Sequence, residues 1–389
     1  MDVTANDASR SDGWEAWSRI RLAIAGLVLC VPIAIMSSTW LQKVTGSRAP
    51  ALPGWSWKVG DLKRYPSRFE FEFNLALPSR VEVASLARRV YVDGLGVSPV
   101  AEVVMGTDGW LYYVGPAGEK LLDRHVRGSA PFSVPELDRW RDFLVERARR
   151  LRSVGAKYVF VIAPNKESIY PEHLPGWVGP RVGPSRLDQL MTHLKSATDV
   201  TAIDLRPALL AEKKTSVVYY KADTHWNTRG AYAAYREIAR VLTPDFPGLA
   251  AKSWDSLRPT PIDRTGFDMA RMIGLVPETP EADFVIDHGA CGVAHPVPLP
   301  MPAELQSRLT GPAQAFRCDV PGSVDAVIFQ DSFGTALTPI LTESFRSTAS
   351  FRTTAGPNDS VGYGMPEKLR ANLVLEILVE RSLGPPPGL

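Results

Sequence analysis

Most of the chain beyond residue 130 alternates between short apolar runs and segments whose apolar residues recur at helical spacing. The apolar runs predict strands at 158–162, 200–205, 216–220 and 325–329. The amphipathic segments predict helices at 134–155, 185–197, 228–242 and 336–345. Continuously apolar strands separated by helices are typical of a parallel sheet covered by helices on both faces. We therefore expect an α/β fold.

The N-terminal part of the chain has a different pattern. Residues 22–40 carry no charge and are about long enough to cross a bilayer, which takes roughly 20 residues. Arg19 and Arg21 precede this segment and favour a cytoplasmic N-terminus. The segment outlasts the core of an ordinary signal peptide, which favours an uncleaved anchor, although a cleaved signal peptide is the alternative.

These features predict four regions: a cytoplasmic segment at 1–21, a transmembrane helix at 22–41, a linker rich in Pro, Gly and Trp at 42–64, and one domain at 65–389. In a bacterium the domain is then periplasmic and anchored in the inner membrane. Within it, the proline-rich stretch 252–317 is either a small subdomain or a lid.

Composition narrows the function. The chain has 44 basic and 42 acidic residues among its 389, and no basic run that would follow a phosphate backbone, so nucleic acid is not an expected partner. Of the three cysteines, Cys291 and Cys318 lie in the exported part, where they either form a disulfide or are two small buried side chains.

Three loops after predicted strands carry polar side chains of chemical interest. They are APNKESIY after 158–162, ADTHWN after 216–220 and QDSFG after 325–329. In open parallel sheets, sites form where loops leave the carboxyl ends of the strands. These loops are therefore expected to meet.

Ser332 lies between a predicted strand and a predicted helix, which is where an acyl-transfer nucleophile has helix amides beside it. Gly334 permits close approach of the backbone to a substrate, and its amide is a candidate donor to an oxyanion. The alternative for Ser332 is a simple helix cap.

A serine hydroxyl needs a base, and neutral imidazole suits that task at neutral pH. In an extended segment Asp223 and His225 project to the same side, so the carboxylate can orient the ring. The alternatives are a turn aspartate with a surface histidine, or a metal site. The remaining histidines make no close pair with His225 or with one another, which argues against a dedicated metal centre.

Six motifs, in this order, resemble the SGNH-hydrolase-like domain of the alginate O-acetyltransferase family: GTDGWLYY, IAPNKESIYPEHLP, DTHWNTRGAY, GFDMARMIGL, QDSFGTAL and NLVLEILVERSL. The resemblance covers roughly 65–383. It implies a permuted motif order, in which the acid and base precede the nucleophile, unlike ordinary SGNH esterases.

The resemblance implies Ser332 as nucleophile, His225 as base and Asp223 as the residue that orients it. Asn165 and Lys166 then belong to an oxyanion or substrate-binding loop, and Asn165 is otherwise a turn residue. Where such families commonly have glycine, this chain has Gln330, which either alters activity or faces solvent.

Substrate contacts are expected from exposed aromatic and basic side chains. Trp226, Trp110 and Tyr170 lie in or near the loops as stacking platforms, with burial in the core as their alternative. Arg346 and Arg352 are candidate substrate-binding arginines.

The resemblance implies a two-step transfer of acetyl from Ser332 to hydroxyls of an exported, alginate-like polysaccharide, with no cofactor and a membrane-bound partner as acetyl supplier. A carbohydrate acetylesterase and a non-catalytic glycan-binding scaffold of an envelope complex are the alternatives.

Overall fold

The computed structural model describes residues 89–275, 279–286, 295–296, 299, 303–307, 309–318, 324–353 and 360–385. The predicted cytoplasmic segment, transmembrane helix and linker lie outside these residues. Within them, no helix has both the length and the hydropathy of a membrane span.

The described residues include eleven strands and ten α-helices. The strands are β1 (Val103–Met105), β2 (Leu111–Tyr113), β3 (Lys157–Ala163), β4 (Thr201–Asp204), β5 (Pro259–Arg264), β6 (Glu281–Ile286), β7 (His295–Pro296), β8 (Gln314–Arg317), β9 (Asp325–Gln330), β10 (Ser347–Arg352) and β11 (Leu373–Val379). The helices are α1 (Glu119–Leu122), α2 (Val134–Ser153), α3 (Lys166–Ile169), α4 (Arg186–Ala197), α5 (Arg206–Glu212), α6 (Thr228–Leu242), α7 (Asp268–Met272), α8 (Ala303–Gln306), α9 (Gly334–Thr342) and α10 (Ser360–Lys368).

Seven strands form the main sheet in the order β4-β3-β11-β9-β10-β8-β7. The first five are parallel, which confirms the predicted α/β fold with a largely parallel sheet. The sheet departs from the predicted parallel arrangement at one edge, where β8 pairs antiparallel with β10 and β7 pairs antiparallel with β8.

Side chains of β3 show why the sheet needs helices on both faces. Val159 and Val161 pack into one hydrophobic cluster with α6 and α9, whereas Tyr158 and Phe160 pack into another with α2 and α4. Successive side chains of a strand point to opposite faces, so a run of apolar residues is buried only when both faces are covered.

The predicted strand at 216–220 does not join the sheet. Val218 receives a hydrogen bond at its carbonyl from the Asn227 amide (3.1 Å), and its own amide donates to the hydroxyl of Tyr170 (3.0 Å). A single bridge links Tyr219 to Trp226. This apolar segment is buried because the chain folds back on itself at the loop that carries His225.

The stretch 252–317 contributes to two places. β5 and β6 form a separate two-stranded antiparallel sheet, and β7 and β8 extend the edge of the main sheet. Cys318, beyond β8, is buried and disulfide-bonded. Cys291 lies outside the described residues, so its pairing with Cys318 stays a prediction.

Candidate active site

Ser332 lies in a sharp turn between β9 and α9, as the sequence predicts. Asp331 fixes this turn, because its carboxylate accepts hydrogen bonds from the amides of Phe333 (2.9 Å) and Val379 (2.7 Å). The first is the local bond of an Asx turn, and the second ties the turn to the end of β11. The turn presents Ser332 at the carboxyl edge of the sheet.

Gln330 is buried, which excludes the alternative that it faces solvent. Its side-chain carbonyl accepts a hydrogen bond from the Thr338 hydroxyl, one turn into α9. A Cβ at position 334 would overlap the Cβ and the amide group of the Gln330 side chain, which would have to move. Gly334 therefore makes room for the Gln330 side chain beneath the helix.

Asp223, His225 and Ser332 form a continuous hydrogen-bonded chain. His225 Nε2 lies 2.8 Å from Ser332 Oγ, and His225 Nδ1 lies 2.6 Å from Asp223 Oδ1. The His225 amide also donates to Asp223 Oδ1 at 3.0 Å. This arrangement of hydroxyl, imidazole and carboxylate is able to remove a proton from Ser332 and stabilise the charged ring that results.

Electrostatics keep Asp223 ionised. Burial alone would raise its pKa, but the hydrogen bonds and charge of His225 and the amide of Asp268 lower it to about 2. Burial and the nearby charge of Asp223 raise the pKa of Asp268. Asp223 is therefore ionised beside His225.

Asp268, at the start of α7, fixes the segment that contains Asp223 and Thr224 through two hydrogen bonds. Its amide donates to Asp223 Oδ2 (2.9 Å), and its own carboxylate accepts from the Thr224 amide (2.9 Å). Asp268 has no role among the sequence predictions, although it is the aspartate of the GFDMARMIGL motif and could have been found there.

Lys166 supports the same loop from within the protein. Its ammonium donates to the carbonyl oxygens of Tyr220 (2.9 Å), Lys221 (2.8 Å) and Asp223 (2.7 Å). The side chain is buried and all three N–H groups are used. A direct contact of Lys166 with substrate, as expected from the sequence, is therefore wrong for this structure.

The two-stranded β5–β6 sheet supplies further supports through two carboxylates of β6. Glu281 accepts hydrogen bonds from the amides of Lys221 and Ala222 (2.8 and 3.1 Å). Asp283 is buried and accepts from the Thr228 amide (3.0 Å) and from the hydroxyl of Tyr220. The loop that carries His225 is consequently fixed at both of its ends.

A cavity of about 410 Å³ opens beside the hydrogen-bonded chain and is lined by Asp223, His225 and Ser332 themselves. Arg352, as expected, lines it, and so does Arg264 from the end of β5. Arg346 does not, because it pairs with Asp325 at the opposite end of β9. The cavity therefore combines a nucleophile and base with two cationic side chains.

The three aromatic residues expected as stacking platforms are core residues. Trp226, Trp110 and Tyr170 are 1%, 3% and 5% exposed. The ring of Trp226 packs edge-on against Phe333, and Trp110 stacks on Tyr170. Trp226 borders the cavity, but none of the three offers a free ring face to a sugar.

The candidate oxyanion donors are the backbone amides of Ser332 and Gly334 and the side-chain amide of Asn165. Within the described part of the chain, the amides of Ser332 and Gly334 donate to no backbone carbonyl. Asn165 is buried, its Oδ1 accepts from the Arg381 amide (3.1 Å), and its Nδ2 has no partner among described atoms. Asn165 does not line the cavity, so its role as a donor stays a prediction.

Asp223, His225 and Asp268 also bring three possible metal-ligand atoms within 4.8 Å of one another. Nδ1 of His225 and both carboxylate oxygens of Asp223 already take part in hydrogen bonds. An ion bound there would have to replace the bond that orients His225.

A buried acid adjoins Asn165 and makes stability depend on pH. Burial raises the pKa of Glu380 to about 7 from 4.5. Its contribution to stability is therefore fully present below about pH 4.5 and lost as pH rises through 7. Between pH 5 and pH 8 we expect the free energy of unfolding of the parent protein to fall by about 2 kcal/mol more than that of Glu380→Gln, which has no carboxyl group to ionise at this position. Urea unfolding of both proteins at the two pH values measures it, and equal pH dependence would contradict the assignment.

The comparisons with known proteins agree with the fold and the motifs. Residues 103–288 match the family model described as "SGNH hydrolase-like domain, acetyltransferase AlgX". This range includes Asp223, His225 and Asp268 but not Ser332.

Among curated relatives, the chain is 26% identical over 250 residues to the probable alginate O-acetylase AlgJ of Pseudomonas aeruginosa, covering 61% of this chain and 53% of that protein. It is 31% identical over 150 residues to AlgJ of Pseudomonas fluorescens, covering 37% of this chain and 34% of that protein. The aligned part thus spans about half of the first relative's length, and less of the second.

Among solved structures, Bacillus cereus PatB1 with a sulfonyl adduct has a TM-score of 0.50 at 15% identity, covering 72% of this chain and 96% of that chain. This likeness concerns the fold. The family match confirms the resemblance drawn from the motifs: residues 103–288 are similar to the SGNH hydrolase-like domain of AlgX-type acetyltransferases.

Proposed function

We propose that this chain is an O-acetyltransferase that moves an acetyl group, through an acyl-enzyme at Ser332, to hydroxyls of an exported, alginate-like polysaccharide. The observation that carries the proposal is the hydrogen-bonded chain from Asp223 through His225 to Ser332, open to a cavity with two arginines. The names of the curated relatives supply the substrate class.

In the first step, Ser332 Oγ attacks the carbonyl carbon of the donor's acetyl ester, and its proton passes to His225 Nε2. Asp223 stabilises the charged imidazole through Nδ1–H. The amides of Ser332 and Gly334 donate to the oxyanion of the tetrahedral intermediate. The intermediate then expels the donor's alkoxide, which takes the proton from His225.

In the second step, a sugar hydroxyl attacks the acetyl-serine, again giving its proton to His225. The new ester leaves, and the proton returns to Ser332 Oγ. Arg264 and Arg352 lie where they can bind the carboxylates of an acidic polysaccharide, because a guanidinium matches a carboxylate in shape and charge.

The proposal extends to the setting of the reaction. A single N-terminal span would hold the domain at the periplasmic face of the inner membrane, and a membrane-bound partner would supply the acetyl group. The apolar segment at 22–40, with its preceding arginines, supports this part of the proposal.

A transfer assay tests the proposal. The full chain is incubated with an activated acetyl ester and de-acetylated alginate, and both ester-linked acetyl on the polymer and free acetate are measured. We expect acetyl on the polymer with the parent protein and none with Ser332→Ala. Free acetate without any acetylated polymer would contradict the transferase and favour the esterase.

A further inference from the structure

A second cavity lies at the carboxyl ends of β3 and β4, apart from Ser332. It has a volume of about 520 Å³, and the residues that line it include His125, Glu167, Leu174 and Arg206. No residue lines both this cavity and the one beside Ser332. We refer to it as the β3–β4 cavity.

The wall of the β3–β4 cavity contains buried polar atoms without partners. His125 and Glu167 are each 3% exposed, and neither Nδ1 of His125 nor Oε1 of Glu167 has a hydrogen-bond partner among described atoms. Glu380 does not itself line the cavity, and its Oε1 lies 3.9 Å from His125 Nδ1, beyond hydrogen-bond distance. A buried polar atom without a partner is unfavourable, so this wall suits a ligand whose hydroxyl groups reach His125 and Glu167.

An exposed indole adjoins residues of the β3–β4 cavity along the chain. Trp177 is 57% exposed, and its neighbours Gly176 and Val178 both line the cavity. A large, flat, apolar ring with one N–H donor is suited to the apolar face of a sugar. Among the tryptophans that the structure describes, Trp177 is the most exposed, so a ring face free to stack on a sugar lies here rather than beside Ser332.

Charge does not dominate recognition at this cavity. Arg206 pairs with Asp204 (2.7 Å) and Asp188 (2.8 Å), and Arg181 also pairs with Asp188. Guanidinium groups that are already neutralised give an anion little attraction. Hydrogen bonds to hydroxyls and stacking on Trp177 are left as the means of recognition.

We propose that the β3–β4 cavity and Trp177 form a second glycan-binding site, which holds one sugar ring of the polysaccharide that is acetylated at Ser332. The identity of this ligand rests on the proposed function. In the sheet, β3 and β4 lie two and three strands from β9, or roughly 10–15 Å at the usual strand spacing. An extended polysaccharide lying along the carboxyl edge would reach both sites, whereas a disaccharide would not.

The experiment uses full-length protein with de-acetylated alginate as a disaccharide and as a long oligomer. We expect Trp177→Ala to raise the KM for the long oligomer about two- to tenfold, the range of an aromatic stacking contact, and to leave kcat and the KM for the disaccharide unchanged. Trp177→Phe keeps the ring and should retain most of the affinity. Val134→Ala, which removes another exposed apolar side chain, is the matched control.

Calorimetry of the binding of the long oligomer to Ser332→Ala, with and without Trp177→Ala, measures the second site in the absence of acetyl transfer. Weaker binding after Trp177→Ala supports the second site. If the parent protein transfers no acetyl, that result overturns the proposed function but leaves the second site supported. Unchanged binding, or an equal rise in KM for both acceptors, would overturn the second site.

Discussion

Replacing His225 by alanine is expected to lower kcat for acetyl transfer by at least about a thousandfold. His225 Nε2 is 2.8 Å from Ser332 Oγ, and the described structure places no other histidine at that hydroxyl. Without the imidazole, the proton of Ser332 has no acceptor of suitable basicity, while the cavity that binds the acceptor is unchanged. Initial rates with an activated acetyl ester and de-acetylated alginate measure the effect.

His193→Ala is the matched control, because His193 is a partly buried histidine on α4 that lies near Asp138. It should keep the parent rate. A His225→Ala protein that retains a tenth or more of the parent kcat would show that another group is the base.

Lys166→Met is expected to lower the free energy of unfolding by about 3 kcal/mol, and to lower activity as well. Methionine keeps the length of the side chain but leaves the carbonyls of Tyr220, Lys221 and Asp223 without their donor. These carbonyls belong to the segment that leads into His225. Its loosening should reduce kcat even though Lys166 touches no substrate.

Urea unfolding and initial rates of Lys166→Met test this expectation. Lys195→Met is the control, because Lys195 is exposed on α4 and its replacement should change stability by no more than about 0.5 kcal/mol. Full stability and activity in Lys166→Met would mean that the loop holds its shape without this anchor.

The parts of the site that the sequence predicts are local. Ser332 follows an apolar strand and precedes a helix, and both patterns involve only neighbouring residues. Asp223 and His225 are two positions apart in an extended segment, so their contact needs no knowledge of the remaining chain. The resemblance in the order of the motifs then assigns the two loops to one site.

The supports of the site come from far along the chain, and sequence patterns do not reveal them. Lys166 looks like a residue of a polar loop, yet it is buried against carbonyls more than 50 positions away. Glu281 and Asp283 are two positions apart on β6, a spacing of charged residues that is typical of the solvent-facing side of a strand. In the structure their carboxylates instead accept hydrogen bonds from the loop that carries His225 and from the residue that follows it. The segment 216–220 has the composition of a strand, and it is the hydrogen bonds of Val218 that keep it out of the sheet.

The space for the Gln330 side chain comes from a glycine that is close to it in the sequence. The amide takes the place where related motifs have glycine, and the glycine four positions later provides the space for it. The bulky side chain therefore lies under α9 and does not line the cavity beside Ser332.

The nucleophile is tested most directly by the mass of the protein after brief exposure to an activated acetyl ester, followed by peptide mapping. The account predicts one added acetyl group on the peptide that contains Ser332, present in the parent protein and in Trp177→Ala and missing from Ser332→Ala. An acetyl group that maps to another residue, or one that persists in Ser332→Ala at the same rate, would contradict it.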